Sequence, residues 1–205
     1  MDAKTHWEHI YATKAPTQVS WYQQHPHCSM RLILRTGIRA TDPIIDVGGG
    51  ASTLVDDLLT AGFQSVTVLD ISATALQLAR QRLEAHADVI TWIEADIRQT
   101  ALPDRSYALW HDRAVFHFLT QIADRQHYVD TLRRSIRPGG HVIVATFAPD
   151  GPQQCSGLDV QRYAPESLHR QFGPGFELVE SMSESHQTPW GTEQKFIYCY
   201  CRRSC

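Results

Sequence analysis

From Pro43 onward the chain alternates short β-rich runs with stretches whose apolar residues recur at helical spacing, and this alternation constrains the fold more than any other feature. Parallel strands need a long crossover, and a helix supplies one. Pro43–Val47, Ser65–Leu69, Val89–Glu94, Tyr107–His111 and His141–Phe147 read as five strands. A helix from about Ser52 carries Leu54, Val55, Leu58 and Leu59 on one side and closes at Gly62. Ser72 is placed to N-cap a second helix whose Leu76, Ala79 and Leu83 face the sheet. A third, Ile122–Ile136, has Val129, Leu132 and Ile136 in one stripe and ends at Arg137-Pro138-Gly139-Gly140. After Phe147 the period changes, and Phe176–Met182 with Lys195–Cys201 reads as an antiparallel pair. The expected fold is α/β, a doubly wound sheet of seven strands, mostly parallel with an antiparallel last strand. Residues 1–40, rich in aromatics and histidine, are expected to form an N-terminal helical cap on a core of residues 41–205. At 205 residues the chain is expected to be a single domain.

Composition removes several classes of function. Nineteen Lys and Arg stand against 22 Asp and Glu, so no basic field attracts a phosphate backbone and no nucleic-acid partner is expected. No apolar run approaches the roughly 18 residues of a membrane span, and Met1–Tyr11 lacks the pattern of a secretion signal, so a cytoplasmic protein is expected. The cysteines at 28, 155, 199, 201 and 205 are odd in number and contain no C-x-x-C, which favours reduced thiols. His25-Pro26-His27-Cys28 is the densest histidine cluster, but no second pair sits at finger-like spacing, and no metal site is expected.

The ends of the strands carry the chemistry. In an open parallel sheet, ligands sit beyond the carboxyl ends of the strands, where the strand order reverses. Asp46-Val47-Gly48-Gly49-Gly50-Ala51-Ser52 follows the first strand, and its glycines let the backbone approach a ligand. Asp70, ending the second strand, stands where a carboxylate accepts from both hydroxyls of a ribose. Asp96, after the third, is placed to accept from an adenine amino group, with Ile71 and Ile97 sandwiching the base. The dinucleotide fingerprint G-x-G-x-x-G is not met, since Thr53 stands at its last glycine position.

The order of these signals resembles the class I S-adenosylmethionine-dependent methyltransferases, over roughly residues 43–200, and within them small bacterial members of unassigned substrate. DVGGGAS stands where the family has an acid followed by alternating glycines, with Ser52 in place of a third glycine, and Ile136 to Gly140 matches an L-x-P-G-G-like turn. The resemblance implies a Rossmann-like sheet, S-adenosylmethionine as cofactor, and methyl transfer to a nucleophilic N, O or S atom of a small-molecule acceptor. It also implies that Gly48 and Gly50 pass under the methionine part of the cofactor and that Asp46 orients its amino group. Trp7, Tyr11, Trp21 and Tyr22 are candidates to cover it, because a sulfonium sits favourably against aromatic faces.

The segment His111 to His117, after the fourth strand, is where this family places groups facing the acceptor. Asp112 and His117 are the expected catalytic residues, with Arg113 an alternative for an anionic acceptor. An (Asn/Asp)-Pro-Pro-aromatic motif is absent, which weakens base and release-factor substrates. Partial likeness to Asp-Lys-Gly-Thr keeps protein lysine methylation as an alternative, and a non-catalytic cofactor-binding module is another. Cys155 is expected close to the acceptor pocket, while Cys199 and Cys201 share a face of the last strand and read as core. The oligomeric state is not legible.

Overall fold

The computed structural model describes residues 2–205. Seven strands form one sheet: β1 (Ile44–Val47), β2 (Val66–Asp70), β3 (Ile90–Glu94), β4 (Tyr107–Arg113), β5 (Ile136–Phe147), β8 (Phe176–Gln187) and β9 (Glu193–Arg203). Their order is β3-β2-β1-β4-β5-β9-β8; the first five run parallel, and β9 lies antiparallel to both β5 and β8. The order reverses beside β1, between β2 and β4, so a crevice opens at the end of β1.

Helices cover both faces, and the apolar spacing decides which. Leu54, Val55 and Leu58 of α3 (Leu54–Thr60) and Leu76 and Leu83 of α4 (Ala73–Leu83) join one core cluster with Leu32 and Ile33 of α2 (His27–Arg35). Tyr128, Val129 and Leu132 of α5 (Ile122–Ser135), with Leu168 and Phe172 of α6 (Pro165–Phe172), build the other. Ser72 caps α4 as expected, accepting from the Ala75 amide at 3.1 Å. Cys199 and Cys201 are buried in the core.

The N-terminal cap is two helices, α1 (Ala3–Thr13) and α2, with Lys14–Pro26 running between them outside α-helix. Glu8 ties α1 down: its carboxylate accepts from the Ala73 and Thr74 amides and the Ser72 hydroxyl at 2.7–3.2 Å, satisfying the first turn of α4 from 64 to 66 residues away. One element escaped the sequence reading. A two-stranded hairpin, β6 (Gln154–Cys155) and β7 (Leu158–Asp159), turns through Ser156 and Gly157, both at positive φ, the geometry that matches the strand twist. Among the described residues no helix is long and apolar enough to cross a membrane.

Candidate active site

A cavity of about 310 Å³ lies over the carboxyl ends of β1, β2 and β4 and under α1. Gly48, Asp70, Ile71, Asp96 and Ile97 line it from the sheet side, and Trp7, Tyr11 and Trp21 from the cap. A smaller cavity beside it, about 50 Å³, is lined by Asp46, Gly48, Gly49, Ser52, Thr53 and His111, among others. Tyr11, Trp21, Gly48 and Arg113 border both. The structure thus gathers all ten expected binding positions except Gly50 around two adjoining spaces. Gly50 sits just behind: a Cβ there would lie 2.6 Å from Oδ2 of Asp70, so the missing side chain keeps that carboxylate in place. At Gly48, with φ +71°, a Cβ would fall 1.9 Å from Val115 Cγ2. Arg82 of α4 fastens the turn, donating to the carbonyls of Ala51 and Ser52 while pairing with Asp56.

Two carboxylates are free to accept. Asp70 is buried; its Oδ1 takes the Ser72 amide at 2.8 Å, and no donor among the described residues reaches its Oδ2. Burial pushes its acid up to about 7, the Ser72 amide opposing and the nearby charges of Asp46 and Glu8 adding. Asp46 is likewise buried, with one oxygen on His111. Asp96 departs from expectation. Its carboxylate accepts from Nε, Nη2 and the backbone amide of Arg98 at 2.5–3.0 Å, and Arg98 reaches on to Asp124. A base edge at this point meets an ion pair rather than an open carboxylate.

The expected catalytic pair is corrected. Strand residues alternate between faces, and β1 pairs with β4 so that Asp46 lies opposite His111 and Val47 opposite Asp112. His111 therefore shares the face of Asp46, and Asp112 points to the other. There Asp112 is fully buried, accepting from the Val115 and Phe116 amides at 2.9 and 3.1 Å and the Tyr128 hydroxyl at 2.6 Å, and it lines neither cavity. Burial lifts its acid to about 6 despite those donors. His117 is buried between Phe118 and Phe147, also away from both cavities, and burial with the nearby Arg113 charge lowers it to about 3, so it stays neutral. Both residues hold the turn after β4 in shape.

Arg113 reaches the cavities but is already neutralised. It pairs with buried Glu184 at 3.1 Å, donates to Tyr198 at 3.0 Å and to the Trp21 carbonyl at 3.2 Å, and lies 4.2 Å from the centre of the Phe196 ring. Burial and the Glu184 partner come 71 residues away in sequence, which no local signal could show. Cys155 and Leu158 of the β6–β7 hairpin also line the large cavity, with Phe118 and Leu119. Trp7 stacks edge-on against Trp21 and Phe118 at 5.6 and 5.1 Å, closing an aromatic wall.

Residues 44–140 match the family model described as a methyltransferase domain. The ubiquinone/menaquinone biosynthesis C-methyltransferase UbiE of Hahella chejuensis is 28% identical over 159 residues, 75% of this chain and 60% of that protein. Over this stretch the chain is similar to the class I S-adenosylmethionine-dependent methyltransferases. The cofactor of that family is S-adenosylmethionine. EEF1A lysine methyltransferase 2 of Danio rerio is 23% identical over 197 residues, 89% of this chain and 78% of that one. Among solved structures, the N-methyltransferase NodS of Bradyrhizobium japonicum with S-adenosyl-L-homocysteine superposes with TM-score 0.73 at 17% identity, covering 98% and 99% of the two chains. At that identity the likeness shows the fold.

The residues present fit this cofactor. Two acceptor-only oxygens without protein donors suit hydroxyls and an ammonium, Ile71 and Ile97 give the large cavity apolar surface that suits a flat base, and Trp7, Tyr11 and Trp21 give it aromatic faces of the kind that stabilise a cationic sulfur.

Proposed function

We propose that the chain is a methyltransferase acting from S-adenosylmethionine on a nucleophilic N, O or S atom of a small acceptor that carries no negative charge. The observation that carries this reading is one continuous cavity running from the Asp70 carboxylate to the Cys155 hairpin beneath an aromatic wall. Asp70 would hold the ribose hydroxyls, Ile71 and Ile97 the adenine faces, and Asp46 with the Gly48–Gly50 turn the methionine end. That cofactor would supply a methyl group on a positively charged sulfur: the methyl carbon is the electrophile, and the neutral thioether leaves with the bonding pair as the nucleophile attacks. The chain's own part is holding and aligning, which supplies about 7–11 kcal/mol when geometry is good, against about 3–5 kcal/mol for a general base. The absence of Asp112 and His117 from the cavity therefore leaves the reading intact.

Acceptor polarity follows from charge. Among the described residues, both arginines lining the large cavity are paired, Arg113 with Glu184 and Arg98 with Asp96, so an anionic acceptor finds no unpaired guanidinium there. Trp7, Trp21, Phe118, Leu119 and Leu158 instead offer apolar contact. That Phe118, Leu119, Cys155 and Leu158, none of them expected cofactor contacts, also line the cavity argues against a cofactor-binding module that has lost its chemistry. Calorimetric titration with S-adenosylhomocysteine tests the cofactor half, and no heat at millimolar ligand would overturn it. Turnover with thiols, amines and phenols but not with carboxylates tests the acceptor half.

A second reading, protein lysine methylation, is favoured by the alignment to EEF1A lysine methyltransferase 2, which spans most of both chains. It expects label from methyl-tritiated cofactor in a protein band of a lysate. Label confined to small molecules rejects it.

A further inference from the structure

Asp46, His111 and Ser29 form a buried chain of hydrogen bonds. Asp46 Oδ1 lies 2.7 Å from His111 Nδ1, and His111 Nε2 lies 2.8 Å from Ser29 Oγ; all three side chains are buried. A carboxylate only accepts, so Nδ1 carries the proton, and Nε2 is left to accept from the Ser29 hydroxyl. The geometry resembles a hydrolytic triad, but Ser29 has no exposed surface and lines neither cavity, so it attacks nothing. What faces the smaller cavity is Asp46 together with the edge of His111. Oδ2 of Asp46 stands close over the glycine turn, 2.5 Å from where a Cβ of Gly49 would be, and no donor among the described residues reaches it.

We propose that His111 and Ser29 are positioning residues that hold Asp46 to receive the amino group at the methionine end of the cofactor. This rests on the reading that the site binds S-adenosylmethionine. His111 donates to one oxygen of a buried carboxylate and so keeps the other aimed across Gly49. Ser29 donates to Nε2 and so holds the ring in the orientation that points Nδ1–H at Asp46. Ser29 belongs to α2, so the N-terminal cap shapes affinity for one half of the cofactor without touching it. Tyr198 Oη stands 3.5 Å from Ser29 Oγ, but its proton goes to Glu184 and that of Ser29 to His111, so the chain of hydrogen bonds ends at Ser29.

The test compares two probes, S-adenosylhomocysteine and 5′-methylthioadenosine, which lacks the amino-acid end. Binding is measured on the full-length wild type and on His111→Phe, His111→Asn and Ser29→Ala. Removing a hydrogen bond to a charged group costs about tenfold or more in affinity, so His111→Phe is expected to weaken S-adenosylhomocysteine by that factor. Methylthioadenosine should stay within about twofold, because its contacts lie with Asp70 and the isoleucines. Asn places an amide nitrogen near the position of Nδ1 and should recover most of the loss, and Ser29→Ala should lower the ratio of the two affinities by a smaller factor. A purely structural role moves both ligands together, and that result overturns the proposal. Should His111→Phe fail to fold, an unchanged ratio in Ser29→Ala overturns it instead. Wild-type protein that binds neither probe overturns the cofactor reading and this proposal with it, whereas binding with unchanged ratios overturns this proposal alone.

Discussion

Replacing Asp70 by Asn probes the ribose assignment through both affinity and its pH dependence. The carboxylate spends Oδ1 on the Ser72 amide and leaves Oδ2 open toward the cavity, so the hydroxyls of a ribose would meet an anionic acceptor. Losing a bond to a charged acceptor costs about 1.5–3 kcal/mol, or roughly 10- to 150-fold in Kd for S-adenosylhomocysteine. The acid sits at about 7 in the folded protein, raised chiefly by burial. If the ionised form is the better acceptor, wild-type Kd should be flat above pH 8 and weaken toward a limit of about tenfold per pH unit below 7. Stability of the free protein runs the other way. The unfolded carboxyl ionises near pH 4 and the folded one near 7, so this group's stabilising contribution is full below about 4 and lost as pH rises through 7. Calorimetric titrations at half-unit steps from pH 5.5 to 8.5, with circular dichroism on the same samples, read both effects. The Asn variant should bind weakly with little pH slope from this group. A Kd within twofold of wild type in a folded variant, or a wild-type Kd flat across the range, would refute the assignment.

Asp112→Ala should lower stability by about 2–4 kcal/mol, since three donors lose their buried acceptor, while S-adenosylhomocysteine affinity of the folded fraction stays near wild type. His117→Phe removes a buried Nε2 that has no partner together with an Nδ1 that accepts from the Phe147 amide at 3.4 Å; the two effects offset, so melting should change by no more than about 1 kcal/mol equivalent near neutral pH, with turnover preserved. The same variant should be relatively more acid-stable: His117, held to about 3, costs stability progressively as pH falls below 6.5, where the unfolded imidazole takes its proton. Arg113→Leu strands the buried Glu184 charge and should cost about 3–5 kcal/mol, and adding Glu184→Leu should restore much of it in chemical denaturation. Glu8→Ala removes a cap worth about 1–2 kcal/mol, so α1 should exchange its amides and be cut by protease faster, with S-adenosylhomocysteine dissociating sooner.

Sequence alone determined the seven strands of the main sheet and the helices between them in outline, though not the β6–β7 hairpin or that Ile136–Gly140 belongs to β5 rather than to a helix end, and it determined where polar groups leave strand ends, because side-chain periods of 2 and 3.6 and the chemistry of Gly, Pro and Ser act over a few residues. Asp46, the glycine turn, Asp70, Ile71 and Ile97 were legible on that ground, and Trp7, Tyr11 and Trp21 by their aromatic surface; all of them reach the cavities. What the tertiary structure decided was the partner of each charge. Asp112 and His111 are neighbours in sequence, yet strand alternation sends one into the α5 side and the other onto Asp46, and only the register of β1 on β4, across 65 residues, fixes which. Glu184 neutralises Arg113 from an edge strand, and Arg98 folds back onto Asp96, so two groups that read as open recognition elements are ion pairs. A side chain's chemistry is written in its residue type, but whether that chemistry is spent inside the protein or offered to a ligand depends on contacts between distant segments, which have no local signature.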